Sequence, residues 1–265
     1  MSTPFRDALV LTPDDDGYAA TLGAAWTVGS KMHGGLLLAL CASAARSTLD
    51  VAGFEPLVVS ASYLSAPDPG PAHLVVGVRK RGRSVSLVDV ELRQGARVAV
   101  RAAVTLGVPD STTPLRESPH DDQPAEPAAD AIEVAAHPTG SIMNLASVCD
   151  LRLDRATAAF AEGRVDGEAE IRLWVRPHGE EPDVLFALLA GDVSPPVTLN
   201  LGRSGWAPTV QLTALVRAKP APGWLRVRMS SRCVGGTWFD EDAIVTDSAG
   251  TLVCQSRQLA MMPRP

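Results

Sequence analysis

The chain lacks cysteine pairs and any cluster of cysteine and histidine at metal-ligand spacing, and these two absences remove disulfide frameworks and zinc modules together. Cys41, Cys149, Cys233 and Cys254 are scattered along 265 residues, two of them inside strongly apolar patterns, and read as structural thiols. His33, His73, His120, His137 and His178 stand apart from one another, so no metal is expected. Aromatic residues make up 5%, too few for a base-stacking platform. Lys and Arg number 24 against 30 Asp and Glu, and a net charge of -6 gives no basic field to meet nucleic-acid phosphates. The apolar run from Gly34 to Ala45 falls well short of the roughly 18 to 20 residues that cross a bilayer, so no membrane span is expected. Met1-Ser-Thr-Pro-Phe-Arg-Asp has no basic segment leading into an apolar one, which makes the cytoplasm the default location. No Gly-x-Ser-x-Gly elbow occurs, which argues against a serine hydrolase of the α/β-hydrolase type.

What the chain does have is hydrocarbon, 46% of its residues, and a long repetition. Strand-like runs beginning at Pro56, His73, Gly82 and Arg97 recur in the same order from Pro208, Gly223, Gly235 and Gly250, about 152 residues later. At that spacing Ser84 falls on Gly236, Leu57 on Thr209 and, after a small insertion in the last turn, Ala103 on Gln258. Repeats this long indicate a duplicated domain, since solenoid units recur every 20 to 50 residues or so.

Each copy reads as an opening strand, one apolar helix and four strands. In the first, Tyr18 to Val28 alternates, Leu36 to Leu49 is apolar almost all round, and turns at Asp68–Pro71, Gly82–Arg83 and Gly95–Ala96 separate the strands from 56 to 107. In the second, Ile142–Leu153 and Gly167–Val175 read as strands and Glu181–Asp192 as a helix. Between the copies, Pro114, Pro119, Pro124 and Pro127 interrupt a segment rich in Ala, Asp, Glu and Ser. The expected domains are therefore 1–108 and 139–265, joined by a linker at 109–138. A sheet whose apolar face wraps one buried helix is a stable two-layer α+β solution, the hotdog arrangement, and two in tandem make a double hotdog.

Over nearly its whole length the sequence resembles the acyl-CoA thioesterase II family. The resemblance is carried, in order, by Gly34-Gly35, Ser60-Ala-Ser-Tyr-Leu64, Pro67 and Gly70, Arg81-Gly-Arg-Ser-Val-Ser86, Val90-Glu-Leu92, Asp192, Thr209, Leu252-Val253 and Gln258. It implies a double hotdog that hydrolyses fatty acyl-CoA to a free acid and coenzyme A, with no cofactor beyond the coenzyme A of the substrate. It also implies that an Asp, a Thr and a Gln of the second copy hold and activate the hydrolytic water, at the positions of Asp192, Thr209 and Gln258.

The residues themselves allow this reading and blander ones. Asp192 follows an apolar helix, where it would face the unfavourable negative end of the helix dipole. A partly buried carboxylate there suits a general base, while an aspartate before Pro195-Pro196 also suits a turn. Thr209 and Gln258 put hydrogen-bonding groups where the duplicate has Leu57 and Ala103; holding a water is one reason for that, a strand edge or a solvent-facing side chain is another. Gly34 and Gly35 offer N–H groups at a helix start to an oxyanion, or simply allow close packing. His33 either lines the site or is solvated. Arg79, Arg81 and Arg83, with Lys80, form a basic patch that either meets coenzyme A phosphates or is solvated. Asp240-Glu-Asp242 reads as a polar strand face, and Met261-Met262 as packing. The Asp and His pair that hotdog hydratases carry at the helix start is missing from the sequence, which argues against hydratase chemistry. The alternative function is a non-catalytic acyl-CoA or lipid-binding double hotdog. Pairing of edge strands makes a homodimer the expected assembly.

Overall fold

The structure, a computed structural model, describes residues 3–112, 114–116 and 122–263; Met1, Ser2, Pro119 and His120 lie outside the described residues. The first half runs α1 (Pro4–Ala8), β1 (Thr12–Asp14), β2 (Gly17–Leu22), β3 (Thr27–Val28), β4 (Lys31–Met32), α2 (Gly34–Leu49), β5 (Glu55–Tyr63), β6 (Gly70–Lys80), β7 (Val85–Gln94) and β8 (Arg97–Gly107). The second runs β9 (Ile132–Glu133), β10 (Cys149–Leu153), β11 (Glu170–Pro177), α3 (Val184–Ala190), β12 (Thr209–Val216), β13 (Leu225–Ser230), β14 (Trp238–Thr246) and β15 (Leu252–Met261).

Among the described residues, thirteen strands form one antiparallel sheet, in the order β1-β2-β6-β7-β8-β5-β12-β15-β14-β13-β11-β10-β9, and β3 and β4 pair separately. Read outward from the β5–β12 seam, the two halves repeat the same order, so the duplication is a two-fold about that seam. There Val59 pairs with Ala214 and Ala61 with Leu212, all four buried. The outward-facing Ser60 and Thr213 hydroxyls hydrogen-bond at 2.9 Å. Inside, α2 packs on β5 to β8 and against α3. This is the double hotdog expected from the sequence.

α2 buries every residue from Gly35 to Ala45 because its apolar positions leave no polar stripe, which suits a helix enclosed by a sheet. His33 caps its start and Asp50, in the left-handed region at φ 46°, ends it. α3 is shorter than the sequence suggests. Asp183, preceded by Pro182, begins it by accepting the Phe186 N–H at 2.8 Å, and Gly191 closes it, so Asp192 lies just beyond the helix. The strand expected over Tyr18–Val28 breaks after Leu22 into a 3-10 turn, Ala24–Trp26, which aims the indole of Trp26 into the core against Phe5. The strand expected from Ile142 begins only at Cys149. Before it, 3-10 turns place the Asn144 amide on Thr27 Oγ1 and the Gly29 carbonyl, tying the halves together.

Two segments cross between the halves. α1 lies on the second half, where Phe5 and Arg6 N–H groups reach Glu180 and the Phe5 ring meets Phe186 edge-on at 5.0 Å. Part of the 109–138 stretch is built into that half too: the Gln123 amide donates to the Leu173 carbonyl, Trp174 Nε1 donates to the Pro124 carbonyl, and Ile132–Glu133 pairs with β10.

The 152-residue spacing does not match the halves face for face. It lays the buried Val59 and Ala61 on Gln211 and Thr213, which face outward. With the small insertion in the last turn, it also lays the exposed Ala103 on the buried Gln258. The bulge between Pro56 and Val58 recurs between Thr209 and Gln211, so the two strands correspond at a spacing of 153, one residue more than the repeat suggests, and one residue moves every side chain to the other face. The inward neighbours of Ala103 on β8 are Ala102 and Val104, so Gln258 still stands in a row that is hydrocarbon in the other half. Cys41, Cys149 and Cys254 are buried free thiols, their acidity suppressed by burial, and Cys233 is exposed.

Candidate active site

Asp192 has the wrong end of its own helix and the right end of another. The segment after α3 delivers its carboxyl to the N-terminus of α2, where the Gly35 N–H is turned toward it and favours its charged form. The approach is close enough that a Cβ on Gly34 would lie 2.7 Å from Asp192 Oδ2, and one on Gly35 3.0 Å from Asp192 Cβ. Only glycine leaves room for a carboxylate here. Burial nevertheless dominates and pushes the Asp192 carboxyl up to about 7, so it exchanges a proton near neutrality.

His33 completes the clamp. Its Nδ1 accepts the Leu36 N–H at 3.3 Å, which makes Nε2 the protonated nitrogen, and Nε2 donates to the Asp192 main-chain oxygen at 3.1 Å. Burial lowers its pKa to about 4, so the ring is neutral and both nitrogens are engaged. A His and Asp pair therefore does stand at the helix start, contrary to the sequence reading. The two halves contribute one residue each, which is why no local motif shows it. The ring positions Asp192 and has no nitrogen left over to act as a base. Tyr63, from the end of β5, donates its hydroxyl to the Gly34 carbonyl at 2.9 Å, and burial together with the Asp192 charge keeps that hydroxyl protonated.

Thr209 and Gln258 meet as the sequence suggests: the Thr209 hydroxyl donates to Gln258 Oε1 at 2.6 Å. Beyond them stands a residue that the sequence reading placed on a polar strand face. Glu241 is 3% exposed; its Oε2 accepts Gln258 Nε2 at 2.6 Å and its Oε1 accepts the Val197 N–H at 2.8 Å. Strand alternation puts Glu241 in the same inward row as Phe239, Ala243 and Val245, with Asp240 and Asp242 on the other face. That alternation was the available signal, hidden inside an acidic run. Burial and the nearby Asp192 charge push Glu241 up to about 8, against the pull of its two N–H donors. The Ser256 hydroxyl donates to the Gly191 carbonyl at 2.5 Å and fastens the Asp192 segment to the strand that carries Gln258.

The basic patch is not brought to this site. Arg79 pairs with Asp89 at 2.6 Å on the surface, and Arg81 donates to the Leu49 carbonyl at the far end of α2. A 16-residue helix, about 24 Å long, separates that end from Asp192. Arg83 lies exposed in the same turn.

A buried carboxyl titrating near neutrality, a threonine–glutamine pair and the helix-start N–H groups of Gly34 and Gly35 can take a proton from water, orient it and stabilise an anion. The family models of the acyl-CoA thioesterase N-terminal domain and C-terminal domain match residues 22–107 and 117–262. An uncharacterized protein of Mycobacterium tuberculosis is 44% identical, with 99% of each chain covered. Among solved structures, a Thermobifida fusca YX protein proposed to be a thioesterase II superposes with a TM-score of 0.88 at 29% identity, covering 99% of this chain and 98% of that one. A hot dog fold protein of unknown function from Alicyclobacillus acidocaldarius gives 0.85 at 23% identity, with both chains covered completely.

Proposed function

The chain belongs to the acyl-CoA thioesterase family of double-hotdog proteins, and on that premise we propose that it hydrolyses fatty acyl-CoA to a free fatty acid and coenzyme A by attack of an activated water. The observation that carries this reading is the Asp192 carboxyl, held at about 7 where the first half's helix begins, on a segment that Ser256 fastens to the strand carrying Gln258.

In the proposed reaction, water held by Thr209 and Gln258 gives a proton to Asp192 as its oxygen bonds to the thioester carbon. The carbonyl oxygen takes up the negative charge beside the Gly34 and Gly35 N–H groups. As Asp192 becomes neutral, its claim on the Gly35 N–H weakens and that donor is available to the oxyanion. Collapse then breaks the carbon–sulfur bond, and Asp192 returns the proton to the departing sulfur. Losing one such oxyanion donor typically costs about 3 to 4 kcal/mol of barrier. No covalent acyl-enzyme and no cofactor take part. One site per chain follows, because the oxyanion donors come from one half and the water from the other. We expect the protein to work in the cytoplasm as a homodimer.

The test is thiol release from acyl-CoAs of several chain lengths, run beside a binding measurement with the same ligands. Release that depends on Asp192 supports hydrolysis. Binding without release supports the non-catalytic acyl-CoA or lipid-binding reading instead.

A further inference from the structure

A side-chain amide can be turned end for end at little cost, so which end of Gln258 faces Thr209 is decided by what stands on its other side. That neighbour is Glu241. The Val197 main-chain N–H can only donate, so Glu241 Oε1 is an acceptor. With the carboxylate charged, Oε2 is an acceptor as well, and the NH2 end of Gln258 must face it. The oxygen end then faces Thr209, whose hydroxyl has to donate. The hydrogen bonds thus converge on the carboxylate: Val197 and Gln258 both donate to Glu241, and Thr209 donates to Gln258 behind it.

We propose that Glu241 is a positioning residue: as a carboxylate it sets the direction of the Gln258–Thr209 hydrogen bond, and a proton on its Oε2 reverses that direction. This rests on the hydrolytic reading of Asp192, Thr209 and Gln258. When Oε2 carries a proton it donates to Gln258 Oε1, the amide turns over, and its NH2 end meets Thr209. The threonine hydroxyl then accepts from the amide and its own proton points elsewhere, so the water loses the acceptor and donor arrangement that aims it at the thioester. The ionisable groups bearing on Glu241 are Asp192, from the segment after α3, and Asp240, its neighbour on β14; both disfavour a second negative charge. Burial adds to this, so Glu241, like Asp192, holds its proton well above the ordinary carboxylate range, and the two titrations are coupled. Full turnover therefore requires both groups ionised, Asp192 to act as a base and Glu241 to orient the water.

Glu241→Gln tests this, because a glutamine there still accepts the Val197 N–H but presents NH2 to Gln258 permanently. The expected result is kcat lower by about 10- to 100-fold with KM for acyl-CoA unchanged. The pH–rate profile should simplify to the single ionisation of Asp192, losing the contribution of Glu241. Wild-type kcat with an unchanged pH–rate profile in this variant overturns the proposal. A wild type that releases no thiol at any pH counts against the hydrolytic reading rather than against Glu241. A second measurement then decides, and it also serves if Glu241→Gln fails to fold. The Gln258 side-chain amide is followed by 15N NMR against pH in Asp192→Asn protein, which removes the Asp192 titration. Resonances that shift with a midpoint well above the ordinary glutamate range support the proposal, and resonances that stay flat overturn it.

Discussion

His33 Nε2 lies 3.1 Å from the main-chain oxygen of Asp192, 159 residues away in the chain, and donates to it. The same imidazole caps α2 through Nδ1, so one ring fixes both the start of the first half's helix and the residue proposed as the base. The position of Asp192 is thereby tied to the helix dipole that favours its charge, while burial opposes that charge.

The pH dependence of turnover follows from that balance. Below about 7 the Asp192 carboxyl holds its proton and cannot accept another from water, so kcat/KM should rise as pH climbs through 7. Asp192→Asn should lower kcat by about 100- to 10,000-fold and remove that limb. Stopped-flow thiol release over pH measures both, and a variant with the wild-type limb would exclude Asp192 as the base.

The same carboxyl should make the protein less stable as pH rises. Its pKa is raised in the fold from 3.8 to about 7, so the neutral form is the one that folding favours. That contribution is full below about 4 and is lost as pH rises through about 7. Asp192→Asn does not titrate, so its stability advantage over wild type should grow across that window and level off above it, reaching on the order of 2 to 4 kcal/mol. Urea denaturation at several pH values measures this; an advantage that does not change with pH would contradict the raised pKa.

Gly34 and Gly35 should respond differently to alanine. At Gly34 the added carbon meets the Asp192 carboxylate at 2.7 Å and the Tyr63 hydroxyl at 3.4 Å, both movable side-chain ends. At Gly35 it meets the Leu189 carbonyl at 2.8 Å, which is backbone. Gly34→Ala should cut turnover with little change in Tm, whereas Gly35→Ala should force α2 and α3 apart and lower Tm by several degrees. Calorimetry beside a thiol-release assay separates the two, and equal effects on Tm would count against this packing.

Thr209→Val leaves the Gln258 Oε1 without its donor in a buried setting, at a cost of about 1 to 3 kcal/mol in stability. Turnover should fall as well. Thr209→Ser keeps the hydroxyl and should recover both, and if valine and serine behave alike in kinetics and denaturation, the hydroxyl has no part in the site.

The helices, the four-strand runs and their turns were readable because each is a local pattern: Leu36 to Leu49 is apolar almost all round, and β6, β7 and β8 alternate between punctuating turns. The positions of Asp192, Thr209 and Gln258 were readable only through a family resemblance, since each alone suits a turn or a strand edge. Glu241 was missed although its alternation with Phe239 and Ala243 was visible, because Asp240 and Asp242 beside it made the run look uniformly solvated.

The sequence alone determined that the chain is duplicated, that each copy wraps a sheet round one buried helix, and that polar residues of the second copy interrupt hydrocarbon. Pattern and composition act over a few residues and carry that much. The tertiary structure decided which faces correspond, because the matching bulges of β5 and β12 lie 153 residues apart rather than 152, and a one-residue offset inverts every face. It also decided that Asp192 borrows the dipole of α2 through Gly35 and His33, and that Glu241 stands behind Gln258. These are contacts between residues distant in sequence, formed when β5 and β12 join two sheets into one, and no local pattern encodes them.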